Sequence, residues 1–187
     1  MILQPASEAD YESIVALANL AYRGSGADAS WNVEAGIIKG QRLSESLLRQ
    51  DLATKPGAHL LAYREDETLL GCVWLEPSQL EPSQLEPSQL EPSQDDVWYL
   101  GLLAVRPDRQ DRQLGRTLLA SAEDFARERG ARRIRMTVVN VRDTLIAWYE
   151  RRGYALTGET QPFPYGDERF GRPLREDLFF VVLEKDI

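Results

Sequence analysis

An α/β fold, with a mixed sheet of six or seven strands flanked by about four helices, is what this sequence predicts, and a few features carry the prediction. Residues Val97 to Val139 read as strand, helix, strand: an apolar run to Val105, an amphipathic stretch from Leu114 closed by Gly130, and a second strand from Arg133 to Val139. A right-handed crossover of this kind sets its two strands parallel and adjacent. Upstream, His59 to Tyr63 and Thr68 to Leu75 flank the polar turn Arg64-Glu65-Asp66-Glu67, the pattern of an antiparallel hairpin. The 187 residues, 43% of them apolar, suit one domain with a substantial core.

Taken in order, Ile2 to Gln4 form a short first strand. Ser7, with Asp10 three residues on, opens a helix in the manner of a capping box. Ile14, Val15, Leu17, Ala18 and Ala21 give that helix an apolar face, and Gly24 and Gly26 end it. A second helix runs near Leu43 to Leu52. His59 is the single histidine and stands at a strand start after Pro56-Gly57, which suits a packing residue better than a base. Residues 75–94 repeat LEPSQ four times; a period of five matches neither strand nor helix, and Pro77, Pro82, Pro87 and Pro92 remove backbone donors, so a loop insertion in the single domain 1–187 is expected.

After the strand Val97 to Val105, the residues Leu114, Leu118, Leu119, Ala122, Phe125 and Ala126 share one helical face. Asp143 begins a further helix on which Leu145, Trp148 and Tyr149 are spaced for one side. Gly153 to Leu156 and Leu178 to Glu184 complete the sheet, joined by the long hairpin loop PFPYGDERFGRPLRED.

Charge and composition narrow the function. The net charge of −8 argues against general nucleic-acid binding, which needs a basic face, and is compatible with a cationic amine substrate or with surface acids that serve solubility alone. No run of about 18 apolar residues and no charged-then-apolar leader is present, so neither membrane binding nor export is expected and a cytoplasmic protein is. The single Cys72 excludes an internal disulfide and a Cys-based zinc cluster, and no metal is expected.

The stretch VWYLGLLAVRPDRQDRQLG, running into LGRTLLASAEDFARERG, carries the strongest chemical signal. A strand ends at Val105, a turn follows, and a helix begins near Leu114. The first turn of a helix leaves backbone N–H groups unpaired and carries partial positive charge, so it holds anions. Arg106, Arg109, Arg112 and Arg116 crowd the same turn of an acidic chain, and a phosphate-bearing ligand is the simplest reading.

Leu103-Ala104-Val105-Arg106-Pro107 followed by Gln110-Asp111-Arg112-Gln113-Leu114-Gly115 resembles the cofactor loop of the GNAT superfamily of acetyl-CoA-dependent N-acetyltransferases, Q/R-x-x-G-x-G/A after a strand. Gln110 and Gly115 match; Gln113 replaces the first glycine. Asn140 and the run Tyr149-Glu150-Arg151-Arg152-Gly153-Tyr154 are similar to the family's second signature. Trp31, Glu34, Gly40 and Arg42 resemble a W-x-x-E…G-x-R pattern of one branch.

The resemblance implies a mostly antiparallel GNAT sheet splayed at its centre. It implies that amides from Arg112 to Thr117, through Gln113, Leu114, Gly115 and Arg116, bind the pyrophosphate of acetyl-CoA with Gln110 nearby. The backbone of Leu103, Ala104 and Val105 would pair with the pantetheine arm and Leu103 supply an oxyanion donor. Asn140 would hold the cofactor and Tyr149 protonate the leaving thiolate. Trp31, Glu34 and Tyr99 become candidate acceptor contacts, with Glu34 a base through water and Tyr165 and Arg172 more distant candidates. Against these stand plainer readings: Trp31 as a lid over the core, Glu34 as an ion-pair partner of Arg42, and Tyr149 as core. The activity implied is transfer of an acetyl group to a primary amine of a small molecule or protein in a ternary complex, with a homodimer left open. The alternative is a non-catalytic acyl-CoA-binding sensor or interaction module.

Overall fold

The computed structural model of the protein describes residues 3–24, 33–34, 36–78, 96–167, 169 and 171–187. The chain enters through β1 (Gln4–Pro5) and a short 3-10 turn, Glu8–Asp10, that leads into α1 (Tyr11–Arg23). Ser7 and Asp10 form the expected capping box, the Ser7 N–H donating to Asp10 Oδ2 at 2.7 Å. Next come β2 (Ile38–Lys39) and α2 (Glu45–Thr54), whose cap Ser44 accepts from the Leu47 N–H. β3 (His59–Glu65) and β4 (Thr68–Pro77) form the hairpin, and Asp66 turns it in the left-handed region. β5 (Val97–Val105), α3 (Leu114–Arg127) and β6 (Arg133–Val139) are the crossover. The chain ends with α4 (Asp143–Glu150), β7 (Ala155–Pro162), β8 (Arg172–Pro173) and β9 (Phe179–Asp186).

Seven strands make one sheet in the order β1-β3-β4-β5-β6-β9-β7, in which β5 and β6 run parallel and the other neighbours antiparallel. Alternate residues of the central strands face opposite layers, as a strand's period of two demands. Val73, Leu103, Val105 and Met136 pack with α3 and α4, whereas Cys72, Trp74, Leu102 and Ala104 pack with α1 and α2. Leu118 and Leu119 of α3 are almost wholly buried, each worth roughly 1.5–3 kcal/mol of apolar burial. The buried Glu123 on the same helix is satisfied by the Tyr154 hydroxyl at 2.9 Å and Lys185 Nζ at 2.7 Å, which ties α3 to β9.

β5 and β6 pair over three positions, Val97 with Arg133 to Tyr99 with Arg135, and then part. On the other side of β5 the register slips, Trp74 facing Leu102 and Leu75 facing Leu100, so Gly101 is left over as a bulge. A Cβ on Gly101 would sit 3.1 Å from both Trp74 Cδ1 and Tyr99 Cε1, which explains the glycine.

Several features differ from the sequence reading. β4 continues through Pro77, so the first three residues of the LEPSQ tract are strand, with Glu76 opposite Tyr99 and Pro77 opposite Trp98. β3 pairs no further than His59 with Leu75, and a proline is tolerated where a strand has lost that neighbour. Residues 79–94 of the repeat lie outside the described residues. β7 runs to Pro162, past the expected end at Leu156, and its pairing with β9 breaks between Leu156 and Thr160. The late loop is more than a hairpin connection: its β8 pairs with β2, Ile38 opposite Pro173 and Lys39 opposite Arg172. Strands of two residues carry no period for a sequence to display. His59 packs, its ring stacked on Trp98 at 5.6 Å and edge-on to Phe125.

Gly171 adjoins this small sheet at φ +84°, and a Cβ there would lie 2.8 Å from the Lys39 carbonyl oxygen. Gly171→Ala is expected to cost about 1–3 kcal/mol, measured as a lower denaturation midpoint. An unchanged midpoint would show that the β2–β8 contact is not part of the cooperative fold.

Candidate active site

The gap between β5 and β6 opens into a cavity of about 290 Å³. Its walls come from α1 through Tyr22, from β5 through Tyr99, Gly101 and Leu103, from β6 through Thr137, and from α4 through Tyr149. At the closed end, where strand pairing stops, the Tyr99 hydroxyl and Thr137 Oγ1 hydrogen-bond across the gap at 2.8 Å. Tyr99 thus lines the cavity, with its hydroxyl committed to β6.

Further along β5 the Leu103 carbonyl accepts a hydrogen bond from the Tyr22 hydroxyl at 3.0 Å, and the Leu103 N–H lies 3.4 Å from the same oxygen. A side chain from α1 therefore meets the backbone groups that the missing strand partner would have paired. Tyr22 was not among the residues singled out from sequence. It falls four residues after Ala18 on the apolar face, and nothing local marks its hydroxyl as functional. Burial raises its pKa, with Glu34 adding to the rise and Arg42 opposing it.

Tyr149 is 6% exposed and packs edge-on against Trp148 and Tyr154. Its ring belongs to the core and it also lines the cavity. Burial, followed by the neighbouring Tyr22, pushes its pKa well above the ordinary phenol value, so the hydroxyl keeps its proton at neutral pH.

Glu34 also lines the cavity at 7% exposure. Its two carboxylate oxygens are held by Arg23 of α1 and Arg142, the residue before α4. The pairing with Arg42 that the plainer reading offered is not formed. The backbone explains why: the Glu34 N–H donates to the Tyr22 carbonyl at 2.7 Å, which folds this segment back against the end of α1 and delivers the carboxylate to Arg23. Arg42 instead lies over the Tyr22 ring, 5.3 Å from its centroid, and reaches toward the Gly101 carbonyl at 3.5 Å. Trp31 lies outside the described residues.

The other half of the candidate site is the start of α3. A 3-10 helix, Pro107–Arg112, leads to Gln113 at φ 58° and ψ 18°, the left-handed conformation that favours glycine and costs other residues roughly 1–2 kcal/mol. Gln113 thus takes a conformation that a glycine would adopt without strain. Among the described residues no side chain caps α3, and its first turn holds no acid. Leu114 is buried and anchors the turn; Gly115 faces Trp148, its Cβ position 3.7 Å from Cζ2. Arg116 and Thr117 are exposed beside the amides. Ala104 and Val105 are buried at the end of β5 that leads here. Arg106 is paired with Asp108, and the side chains of Gln110 and Arg112 lie outside those described.

One neighbour was missed from sequence. Arg152 stacks on Trp148, its Cζ 3.5 Å from the ring centroid, and its Nε is buried with no hydrogen-bond partner among the described residues. Burial, then Arg151 and Arg116, lower its pKa. Uncapped amides, an exposed guanidinium and an orphaned guanidinium nitrogen form a donor set that fits a diphosphate.

Asn140 is placed differently from a cavity wall. Its Nδ2 donates to the Asp177 carbonyl at 3.1 Å and its Oδ1 accepts from the Phe179 N–H at 3.1 Å, bracketing the end of β6 to the start of β9. Tyr165 staples the late loop through Leu178 and Arg175, and Arg172 belongs to β8. Among the described residues no group of His, Cys, Asp and Glu could hold a metal ion, and no helix is long and apolar enough to cross a membrane.

Comparison with known proteins adds the lineage. The sequence model described as the acetyltransferase (GNAT) family matches residues 27–154, more than half of the chain. A streptothricin acetyltransferase of Streptomyces lavendulae is 41% identical over 56 residues, a match that spans 30% of this chain and 30% of that protein. Two solved structures share the fold at low identity. One is a ribosomal-protein-alanine N-acetyltransferase from Brucella melitensis, at TM-score 0.66, 18% identity and full coverage of both chains. The other is a PaiA N-acetyltransferase from Thermoplasma acidophilum in complex with coenzyme A, at TM-score 0.65, 16% identity, and 100% and 98% coverage. A central sheet opened between its parallel strands, an uncapped helix start beside the opening, and a family match across both place this chain in the GNAT family of acetyltransferases.

Proposed function

We propose that the protein transfers the acetyl group of acetyl-CoA to a primary amine, on a small molecule or a protein, by direct attack in a ternary complex. The observation that carries this reading is the gap beyond Tyr99 and Arg135, where the Leu103 backbone and Tyr149 line one cavity. Acetyl-CoA supplies an activated thioester when bound. The chain's own residues would do the rest.

The first-turn amides of α3, with Arg116 and Arg152, would hold the pyrophosphate. Leu103, Ala104 and Val105 would present the free edge of β5 to the pantetheine arm, as a strand receives a peptide. The Leu103 N–H, released from Tyr22, would face the oxygen on which negative charge develops, and a donor so placed is worth about 2.7–4 kcal/mol. Tyr149, protonated at neutral pH, would donate to the departing thiolate and pass it the proton as the C–S bond breaks. Glu34 would accept the amine's proton through water, since the guanidiniums of Arg23 and Arg142 already occupy its direct approaches. Asn140 would act by fixing the end of β6 rather than by touching the cofactor.

The names of the relatives point two ways. Streptothricin acetyltransferase suggests a small-molecule amine, and the ribosomal-protein-alanine enzyme a protein N-terminus. A cavity of about 290 Å³ suits a small molecule or one terminal residue. A cytoplasmic location fits acetyl-CoA as a substrate.

Calorimetric titration with acetyl-CoA and release of free CoA in the presence of an amine panel test the reading together. Binding without release under any amine would favour the acyl-CoA sensor; absence of binding would remove both. Arg116→Glu is expected to weaken acetyl-CoA binding at least about tenfold, or 1.4 kcal/mol, in the same titration. Tyr149→Phe should lower kcat by about a hundredfold while leaving the acetyl-CoA titration unaltered, and an unaltered kcat would reduce Tyr149 to a core residue. Glu34→Ala leaves two guanidiniums without their buried carboxylate and should cost about 3–5 kcal/mol in denaturant unfolding.

A further inference from the structure

We infer that Arg42 recognises a carboxylate on the acceptor, so that the substrate class is amines carrying an acid group a few bonds from the reacting nitrogen. The inference rests on the acetyltransferase reading and concerns the acceptor side of the same site.

Arg42 stands where two cavities meet. The cavity in the strand gap and a second one, of about 300 Å³, between α2 and the β4–β5 surface share Arg42, Tyr99, Gly101 and Leu102 in their walls. The phosphate-binding start of α3 lies on the opposite face of the sheet, with the α3–α4 layer. An acceptor approaching the thioester from the α1–α2 side therefore passes the Arg42 guanidinium.

The guanidinium is placed but not neutralised. It rests on the Tyr22 ring and makes one long contact to the Gly101 carbonyl. Among the described residues no carboxylate lies within ion-pair distance of it. Its basic neighbours differ: Arg23 is held by Glu34, Lys55 by Glu76 at 3.1 Å and Arg169 by Asp167. A half-buried cation usually finds a partner, and a planar fork of N–H donors matches a carboxylate in two parallel hydrogen bonds.

The surrounding charge agrees. The groove continues from the second cavity past Leu43, Leu47 and Arg169. Among the described residues, the walls of these three openings carry six basic side chains and two acidic ones, Glu34 and Asp51, in a chain whose net charge is −8. With Arg23, Lys55 and Arg169 paired to Glu34, Glu76 and Asp167, the remaining Lys39, Arg42 and Arg172 outnumber Asp51, and that favours an anionic group there.

The test uses ω-amino acids from glycine to 6-aminohexanoate, each paired with its amide. Binding to the full-length protein saturated with CoA is read by calorimetry, and turnover with acetyl-CoA by CoA release, for wild type, Arg42→Gln and Arg42→Lys. At least one acid is expected to bind about tenfold or more tightly than its amide. Arg42→Gln should erase that preference through KM, and Arg42→Lys should retain part of it. Equal binding of acid and amide, binding of neither, or a preference unchanged in Arg42→Gln overturns the assignment. Failure of the wild type to bind acetyl-CoA would instead overturn the transferase reading beneath it.

Discussion

The parting of β5 from β6 is the constraint on which the rest of this structure depends. Backbone donors and acceptors at the centre of a buried sheet cost about 1–3 kcal/mol each when unpaired. Here three positions of pairing end abruptly at Tyr99 and Arg135, and side chains take over. The Tyr99–Thr137 hydrogen bond closes the junction, and the Tyr22 hydroxyl serves the Leu103 backbone. The bulge at Gly101 bends β5 away at the same point. A sheet opened in this way exposes strand backbone inside a protein without exposing an edge to solvent, which is the situation a ligand with amide groups can exploit.

Buried charge serves the same opening. Glu34 joins three parts of the chain that are distant in sequence: the end of α1 through Arg23, its own segment, and the entry to α4 through Arg142. Such a cluster adds little net stability compared with an apolar replacement, because desolvating three charges offsets their attraction. Its effect is to define where the cavity wall stands. Glu123 does likewise between α3 and β9, and Arg135 between β6, β7 and β9 through Glu159 and Glu184. Each of these pairs sets the position of an element next to the gap.

Much of the cofactor side was legible in the linear order of residues, because its elements are local. The strand to Val105, the arginine-bearing turn and the start of α3 at Leu114 are contiguous, and a helix start binds anions through its own backbone. The unusual Gln113 was visible as a departure from pattern, and its left-handed conformation shows what such a departure costs. The acceptor side was less legible. Glu34 and Tyr99 were named and do line the cavity, but Tyr22 was not, and the plainer reading of Glu34 paired it with Arg42 rather than with Arg23 and Arg142. Their roles depend on which residues 11, 81 or 108 positions away arrive beside them.

Periodicity and turn chemistry, both short-range, determined the α/β class, the crossover and its parallel pair, the hairpin, the four helices and the start of α3; each is set by backbone geometry within a few residues. Tertiary structure alone decided the rest. The last three strands joined the sheet in the order β6-β9-β7, the late loop was tied to β2, the first three repeat residues became strand, and Arg42 was left facing two cavities while Arg23 and Arg142 took Glu34. Hydrogen-bond partners and the burial of a charge are properties of surfaces brought together by packing, and they have no period along the chain.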